Sequence, residues 1–201
     1  MELKLSYQPA NVNGYILAGG KSTRMGSDKG LMLFNGKPLV THIINQLQPA
    51  VGQVIIVTNN PDYQQFGLEC IPDNIAEVGP AGGIESALTH SRVTHNFIIG
   101  CDMPFVSTAA IQWLLEQAGS ASIIIPEHDG KIEPLFGIYD SNCLPQWHAL
   151  IQQGLRKLQS MIACFSLLQP DVTGNLLFHD PLFMNINTYE ELIKALNNKN
   201  L

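Results

Sequence analysis

The stretch GYILAGGKSTRMGSDKGL, from Gly14 to Leu31, changes character twice. A strand-forming run, Tyr15 to Leu17, passes into the small residues Ala18, Gly19 and Gly20, then into a loop holding Lys21, Arg24, Gly26 and Lys29. Glycines clear side chains from where a backbone must approach a ligand, and their N–H groups are free to donate to anionic oxygens. Strand, glycine turn and closely spaced cations in that order point to a phosphate-bearing ligand beyond the carboxyl end of a strand, where open α/β sheets bind their ligands. Two familiar phosphate loops do not fit. The G-x-G-x-x-G fingerprint is absent, because the order is GGKSTRMG; in G-x-x-x-x-G-K-[ST] terms, Gly20 and Gly26 stand a residue too far apart and Ser27 occupies the lysine position. On the loop alone two readings stay open, a phosphate cradle and a glycine-rich surface turn with solvated cations.

Outward from this loop, short apolar runs alternate with segments of helical period, the pattern of a parallel-stranded α/β sheet. The runs are YIL at 15–17, VIIV at 54–57, NFIIG at 96–100, SIII at 122–125 and LFGIY at 135–139, with a weaker LECI at 68–71. Asn35-Gly36 signals a tight turn and Pro38 is placed to open a helix. Ala81 to Ser91 reads as a helix, Ser107 as the cap of a helix running to Glu116, and Pro145 as the start of another toward Gln153. His128-Asp129-Gly130 marks a turn, and Thr188 with Glu191 three residues on forms a capping box for a final helix. No repeat or linker divides the chain, so residues 1–201 read as a single domain with residues 1–12 as a loose tail.

Composition narrows the class of ligand. The 201 residues are 45% hydrophobic and carry a formal net charge of −6, which argues against a nucleic-acid surface and, given the cations of the loop, for a small anionic ligand. Cys70, Cys101, Cys143 and Cys164 form no C-x-x-C pair and read as reduced thiols. No apolar run approaches the ~20 residues of a membrane span, and the N-terminus lacks the apolar region of a signal peptide, so a cytoplasmic protein without membrane contact is expected.

Four motifs in order carry a resemblance. LAGGKSTRMGSDKGLMLFNGKPL, GPAGGIESAL at 79–88, CDMPFV at 101–106 and FMNINTYEEL at 183–192 are together similar to the landmarks of the molybdenum cofactor guanylyltransferase family, nucleotidyltransferases acting on molybdopterin. The resemblance implies a Rossmann-like three-layer α/β/α sandwich with a mostly parallel sheet, of the nucleotide-diphospho-sugar transferase type. It implies transfer of GMP from GTP to the terminal phosphate of molybdopterin, with release of pyrophosphate. By matching positions, Leu17, Ala18, Gly19, Gly20, Lys29 and Asp73 would contact the nucleotide, and Asp102 would hold Mg2+. Asn185 and Asn187, alternating in an extended segment, would lie on the cofactor side.

The chemistry suits these residue types. Phosphoryl transfer needs positioning and charge neutralisation more than covalent help. Arg24 offers a bidentate grip and Lys29 a point charge, which with Asp102 form the expected catalytic set. Plain alternatives accompany several residues: Asp102 as a turn cap, Asp73 within the turn IPDN, Asn185 and Asn187 as capping residues, and Arg156 and Lys157 either meeting the acceptor's phosphate or lying in solvent. Asp28 reads as an orienting partner for a cation. Relatives often carry Asn after the second strand, where this chain has Thr58 followed by Asn59, and either is a candidate to approach the nucleotide. Expected partners are GTP, molybdopterin and the molybdoenzymes or delivery proteins that take the product, acting on a monomer. The competing readings are a cytidylyltransferase, disfavoured by Gly19-Gly20 where those relatives usually have Ala-Gly, and a noncatalytic nucleotide- or cofactor-binding module, disfavoured by Arg24, Lys29 and Asp102 together.

Overall fold

The structure, a computed structural model, describes residues 8–19, 28–75 and 77–197. In chain order its elements are β1 (Val12–Leu17), β2 (Leu33–Phe34), β3 (Lys37–Pro38), α1 (Leu39–Leu47), β4 (Gln53–Val57), β5 (Glu69–Ile71), α2 (Pro80–His90), β6 (His95–Gly100) and α3 (Thr108–Leu115). There follow β7 (Ile123–Ile124), β8 (Glu127–His128), β9 (Lys131–Ile132), β10 (Phe136–Asp140), α4 (Leu144–Gln152), α5 (Leu158–Ile162), β11 (Leu167–Leu168) and α6 (Tyr189–Asn197). A seven-stranded sheet has the order β11-β7-β10-β6-β1-β4-β5. Only β10 runs against its neighbours, pairing antiparallel with both β6 and β7. The strands expected from apolar runs all form, and the sheet is mostly parallel.

The central strands carry unbroken apolar runs, Tyr15–Leu17, Val54–Val57 and Phe97–Ile99, because both faces of the sheet are covered. Val12 and Ile16 of β1, Val54 and Ile56 of β4, Phe97 and Ile99 of β6 and Phe136 and Ile138 of β10 join one core with residues of α1 and α3. Tyr15, Leu17, Ile55, Val57, Ile98 and Tyr139, pointing the other way, join a second core with α2, α4 and α5. These are the three layers of the sandwich. In α1 the buried positions Leu39, Val40, Ile43, Ile44 and Leu47 keep helical spacing, so one stripe meets the sheet. A third, smaller cluster joins Met32, Phe34 and Leu39 to Ile186, Leu192 and Ala195, and so draws the last helix onto the short β2–β3 ribbon.

Several boundaries differ from the sequence-based expectation. The tail ends before residue 12: Pro9–Asn11 form a 3-10 turn, and Val12 is buried, opposite His95, as the first residue of β1. Pro38 does not open α1. It stands opposite Leu33 in the ribbon, with ψ of 142°, and the helix begins one residue later. The ribbon turns at Asn35 and Gly36, both with positive φ, as a two-residue hairpin requires. The strand β11 and the helix α5 are elements that the sequence reading did not single out.

At the junction of β6 and the antiparallel β10 lies the fully buried Asn96. Its amide donates to Tyr139 O at 3.2 Å, and its oxygen accepts from the Ser91 hydroxyl at 2.6 Å. Replacing Asn96 by Leu keeps the volume but takes the amide donor from Tyr139 O and one acceptor from the Ser91 hydroxyl, which keeps Val93 O at 3.1 Å. We expect the unfolding free energy to fall by about 1–3 kcal/mol, read in urea denaturation as a lower midpoint with an unchanged slope.

Candidate active site at the carboxyl ends of four parallel strands

The strands β6, β1, β4 and β5 are adjacent and parallel, and the site residues expected from the sequence follow their carboxyl ends. Leu17, Ala18 and Gly19 close β1, Thr58 follows β4, Asp73 follows β5, and Asp102 follows β6. From β1 the chain proceeds outward through β4 and β5, then returns to place β6 on the other side of β1. The loops after β1 and β6 therefore diverge from a topological switch point. Leu17 O accepts from the Cys101 N–H at 3.2 Å, which ties the two strand ends together.

Three of the expected residues meet there. Lys29 Nζ donates to Asn187 Oδ1 at 2.6 Å and lies 3.6 Å from Asp102 Oδ2. Between Asn185 and Asn187 the chain buries Ile186, whose N–H donates to Asp102 O at 2.9 Å. The two asparagines thus flank a buried residue, as alternation in an extended segment predicts. Asn187 is set against Lys29 by local chemistry: Glu191 Oε2 accepts from the N–H groups of Asn187 and Thr188, and Thr188 Oγ1 accepts from Glu191 N. The capping box is present as read from the sequence, and it orients a site residue as well as starting α6.

Burial pushes the Asp102 carboxyl above the usual aspartate range, and the Lys29 ammonium pulls it part of the way back. Burial also raises Glu133, with His128 and Lys131 opposing and the Asp102 charge adding to the rise. Glu133 is thus a second carboxylate within reach of the Asp102 field. The segment GKIEP gave no reason to single it out.

On the other side of β1, Asp73 is fixed by its neighbours. Its N–H donates to Asn59 Oδ1 at 3.1 Å, and its own Oδ1 accepts from the Ile75 N–H at 3.2 Å. Burial raises its carboxyl, opposed by the Ile75 hydrogen bond. The amino-terminal glycines of α2 make this packing possible: a Cβ on Gly82 would stand 2.8 Å from Asp73 Oδ1 and Ile75 O, while one on Gly83 would meet only the end of the Leu17 side chain at 3.3 Å. Thr58 is buried and its Oγ1 accepts from Asn60 N at 3.1 Å, so it shapes a turn, and Asn59 is the exposed residue of the pair. Gly19 is exposed with open space where a Cβ would be.

Other expectations resolve differently. Gly20 and Arg24 lie outside the described residues. Asp28 makes no direct contact with a cation among the described residues; it accepts from Gly30 N, Tyr63 Oη and Asn60 Nδ2. Arg156 is structural, its Nη1 donating to Ile151 O at 2.7 Å and Leu155 O at 2.8 Å at the end of α4. Lys157 is exposed at the start of α5.

The model of the MobA-like NTP transferase domain matches residues 14–168. The chain belongs to this family. A protein of Flavobacterium johnsoniae named "Probable molybdenum cofactor guanylyltransferase" is 37% identical over 181 residues, covering 89% of this chain and 93% of its own. The "Molybdenum cofactor guanylyltransferase" of Vibrio parahaemolyticus is 34% identical over 192 residues, covering 92% and 95%. Among solved structures, molybdopterin-guanine dinucleotide biosynthesis protein A from Archaeoglobus fulgidus is similar with a TM-score of 0.76 at 27% identity, over 91% of this chain and 96% of that one. MobA-like NTP transferases are nucleotidyltransferases, and this family commonly uses a divalent metal.

The donor set fits a hard cation held mainly by substrate. Among the described residues no group of three or more His, Cys, Asp or Glu side chains could cage an ion. A single carboxylate beside a phosphate site is what magnesium needs, since it keeps several waters and takes other ligands from phosphate. Asp102, a single withdrawn carboxylate 3.6 Å from the Lys29 ammonium, is a donor of the type such an ion takes.

The two helix glycines give a contrasting pair. Gly82→Ala should destabilise the protein by about 1–3 kcal/mol through overpacking against the Asp73 turn. Gly83→Ala, opposed only by a flexible side-chain end, should be neutral or gain up to about 1 kcal/mol of helix propensity. Thermal melting of both variants checks the ordering.

Proposed function

We propose that this chain transfers GMP from GTP to the terminal phosphate of molybdopterin, releasing pyrophosphate and forming the guanine dinucleotide form of the cofactor. The observation that carries the reading is the convergence of Lys29, Asp102 and Asn187 at the switch point between β1 and β6. The names borne by its relatives supply the substrates. The same reading takes the chain as one nucleotidyltransferase domain acting as a monomer in the cytoplasm. In support, no helix among the described residues is long and apolar enough to cross a membrane.

In this reading the base and ribose lie over Leu17, Ala18, Gly19 and Gly20, with Asp73 and the Asn59 turn at one side. The triphosphate runs toward Lys29, whose ammonium neutralises charge on the phosphate oxygens, and Arg24 grips them bidentately. Asn187 holds the ammonium in place while Asn185 faces the acceptor. A terminal phosphate oxygen of molybdopterin attacks the α-phosphorus of GTP; the new P–O bond forms as the bond to the bridging oxygen breaks, and pyrophosphate departs in line with the attack. Magnesium, held by Asp102, would supply neutralisation of charge on the transferred and leaving groups.

The test is pyrophosphate release with GTP or CTP, molybdopterin and magnesium. GTP should support turnover and CTP should not; the reverse preference would overturn the guanylyl assignment. Lys29→Ala should remove about 2–4 kcal/mol of transition-state stabilisation with little change in melting temperature. Asp102→Asn should abolish turnover in a folded protein, since it keeps the size and one carbonyl oxygen but loses the charge. Near-normal turnover in that variant would reduce Asp102 to a turn cap.

A further inference from the structure

We infer that Tyr63 and Asn60 are positioning residues for this transfer: they clamp the Asp28 carboxylate and so fix the turn that aims Lys29, an inference that rests on the function proposed above. Asp28 immediately precedes Lys29 and is the nearest carboxylate to it along the chain. Left mobile, it would compete with phosphate for the ammonium. Instead its Oδ1 accepts from the Tyr63 hydroxyl and, at 3.1 Å, from the Gly30 N–H, while its Oδ2 accepts from Asn60 Nδ2 at 3.1 Å. Lys29 Nζ reaches Asn187 and Asp102 instead.

The clamp is built into the fold at both ends of the turn. Residues Lys29–Leu31 form a 3-10 turn capped by Asp28, and Met32 O, just beyond it, accepts from the first amide of α1, Leu39 N, at 2.8 Å. Tyr63 is fully buried behind the turn, and burial keeps its phenol protonated and therefore a donor. Gly30 has no side chain where one would overlap the Tyr63 hydroxyl, and its next neighbour there is Cys101, adjacent to Asp102. Asn60 also caps the turn Pro61–Phe66, its Oδ1 accepting from Asp62 N at 3.0 Å, so the chain after β4 is tied to the loop after β1. Without exposed surface Tyr63 has nothing to offer a ligand, so its effect on transfer passes through Lys29.

A double-mutant cycle separates positioning from general stability. Tyr63→Phe conserves the ring, and Asn60→Ser keeps a capping oxygen while removing the amide donor to Asp28. Each is made alone and together with Lys29→Ala, and magnesium-dependent GTP affinity and the kcat/KM for transfer to molybdopterin are measured, with melting temperatures. Each single substitution should weaken GTP binding and kcat/KM by about tenfold, but by no more than about twofold once Lys29 is Ala, because its effect has lost its carrier. Equal losses in both backgrounds, or none in either, would overturn the clamp. A parent chain that binds GTP with this coupling but transfers nothing to molybdopterin would overturn the acceptor assignment and leave the clamp standing. A parent that binds no GTP would overturn both.

Discussion

An aspartate carboxylate withdrawn from water at the end of β6, with an ammonium 3.6 Å away, constrains how the rest of the molecule must be arranged. A charge in such a place is costly unless partnered. Its partner, Lys29, comes from the loop after β1, and the main chain of Asp102 is held by Ile186, more than eighty residues later. Three distant segments must therefore close on one point. The small apolar cluster of Met32, Phe34 and Leu39 with Ile186, Leu192 and Ala195 supplies the cohesion that brings them there. Polar geometry at the site is thus bounded on one side by a hydrophobic contact between the β2–β3 ribbon and α6.

The sheet makes this closure compatible with ligand entry. Parallel strands deliver several loops to one edge, and reversal of strand order between β1 and β6 opens a crevice between loops that leave in opposite directions. Asp73 and Asn59 lie beyond β5 and β4, and Lys29 and Asp102 beyond β1 and β6. In the function proposed above, a nucleotide with its base toward the first pair and its phosphates toward the second would span that crevice. The helix α2 matters to this through what it lacks: the absence of side chains at Gly82 and Gly83 lets the Asp73 turn and Leu17 pack closely against it.

Much of this was legible in the sequence because it rests on local pattern. Apolar runs buried on both faces gave β1, β4, β6 and β10, and Ser107 and the Thr188–Glu191 box marked two helix starts through side-chain bonds spanning three residues. What local pattern could not supply was pairing across distance. Tyr63 and Asp28 are 35 positions apart, Lys29 and Asn187 are 158 apart, and nothing near PDYQQF announces a tyrosine that anchors a loop. Arg156 shows the converse, since a cation after a glycine gives the same signal whether it awaits a phosphate or caps a helix. The two-residue strand β11, which the apolar runs did not announce, is defined by its parallel pairing with β7.

The capping box illustrates how a stability device becomes part of a site. Glu191 serves the first turn of α6 by accepting from Thr188 N, as such boxes do, but the same oxygen also accepts from Asn187 N at 2.6 Å. That second bond fixes the backbone one residue outside the cap, at the residue whose side chain accepts from Lys29. The half-buried carboxylate of Glu191 and the withdrawn carboxylate of Asp102 both bear on one ammonium, the first through the backbone geometry of Asn187 and the second directly through charge. A loss at Glu191 would free the backbone of Asn187 and, because the Glu191 charge also raises the Asp102 carboxyl, would ease the ionisation of Asp102 as well, so geometry and charge at Lys29 are coupled through this one residue.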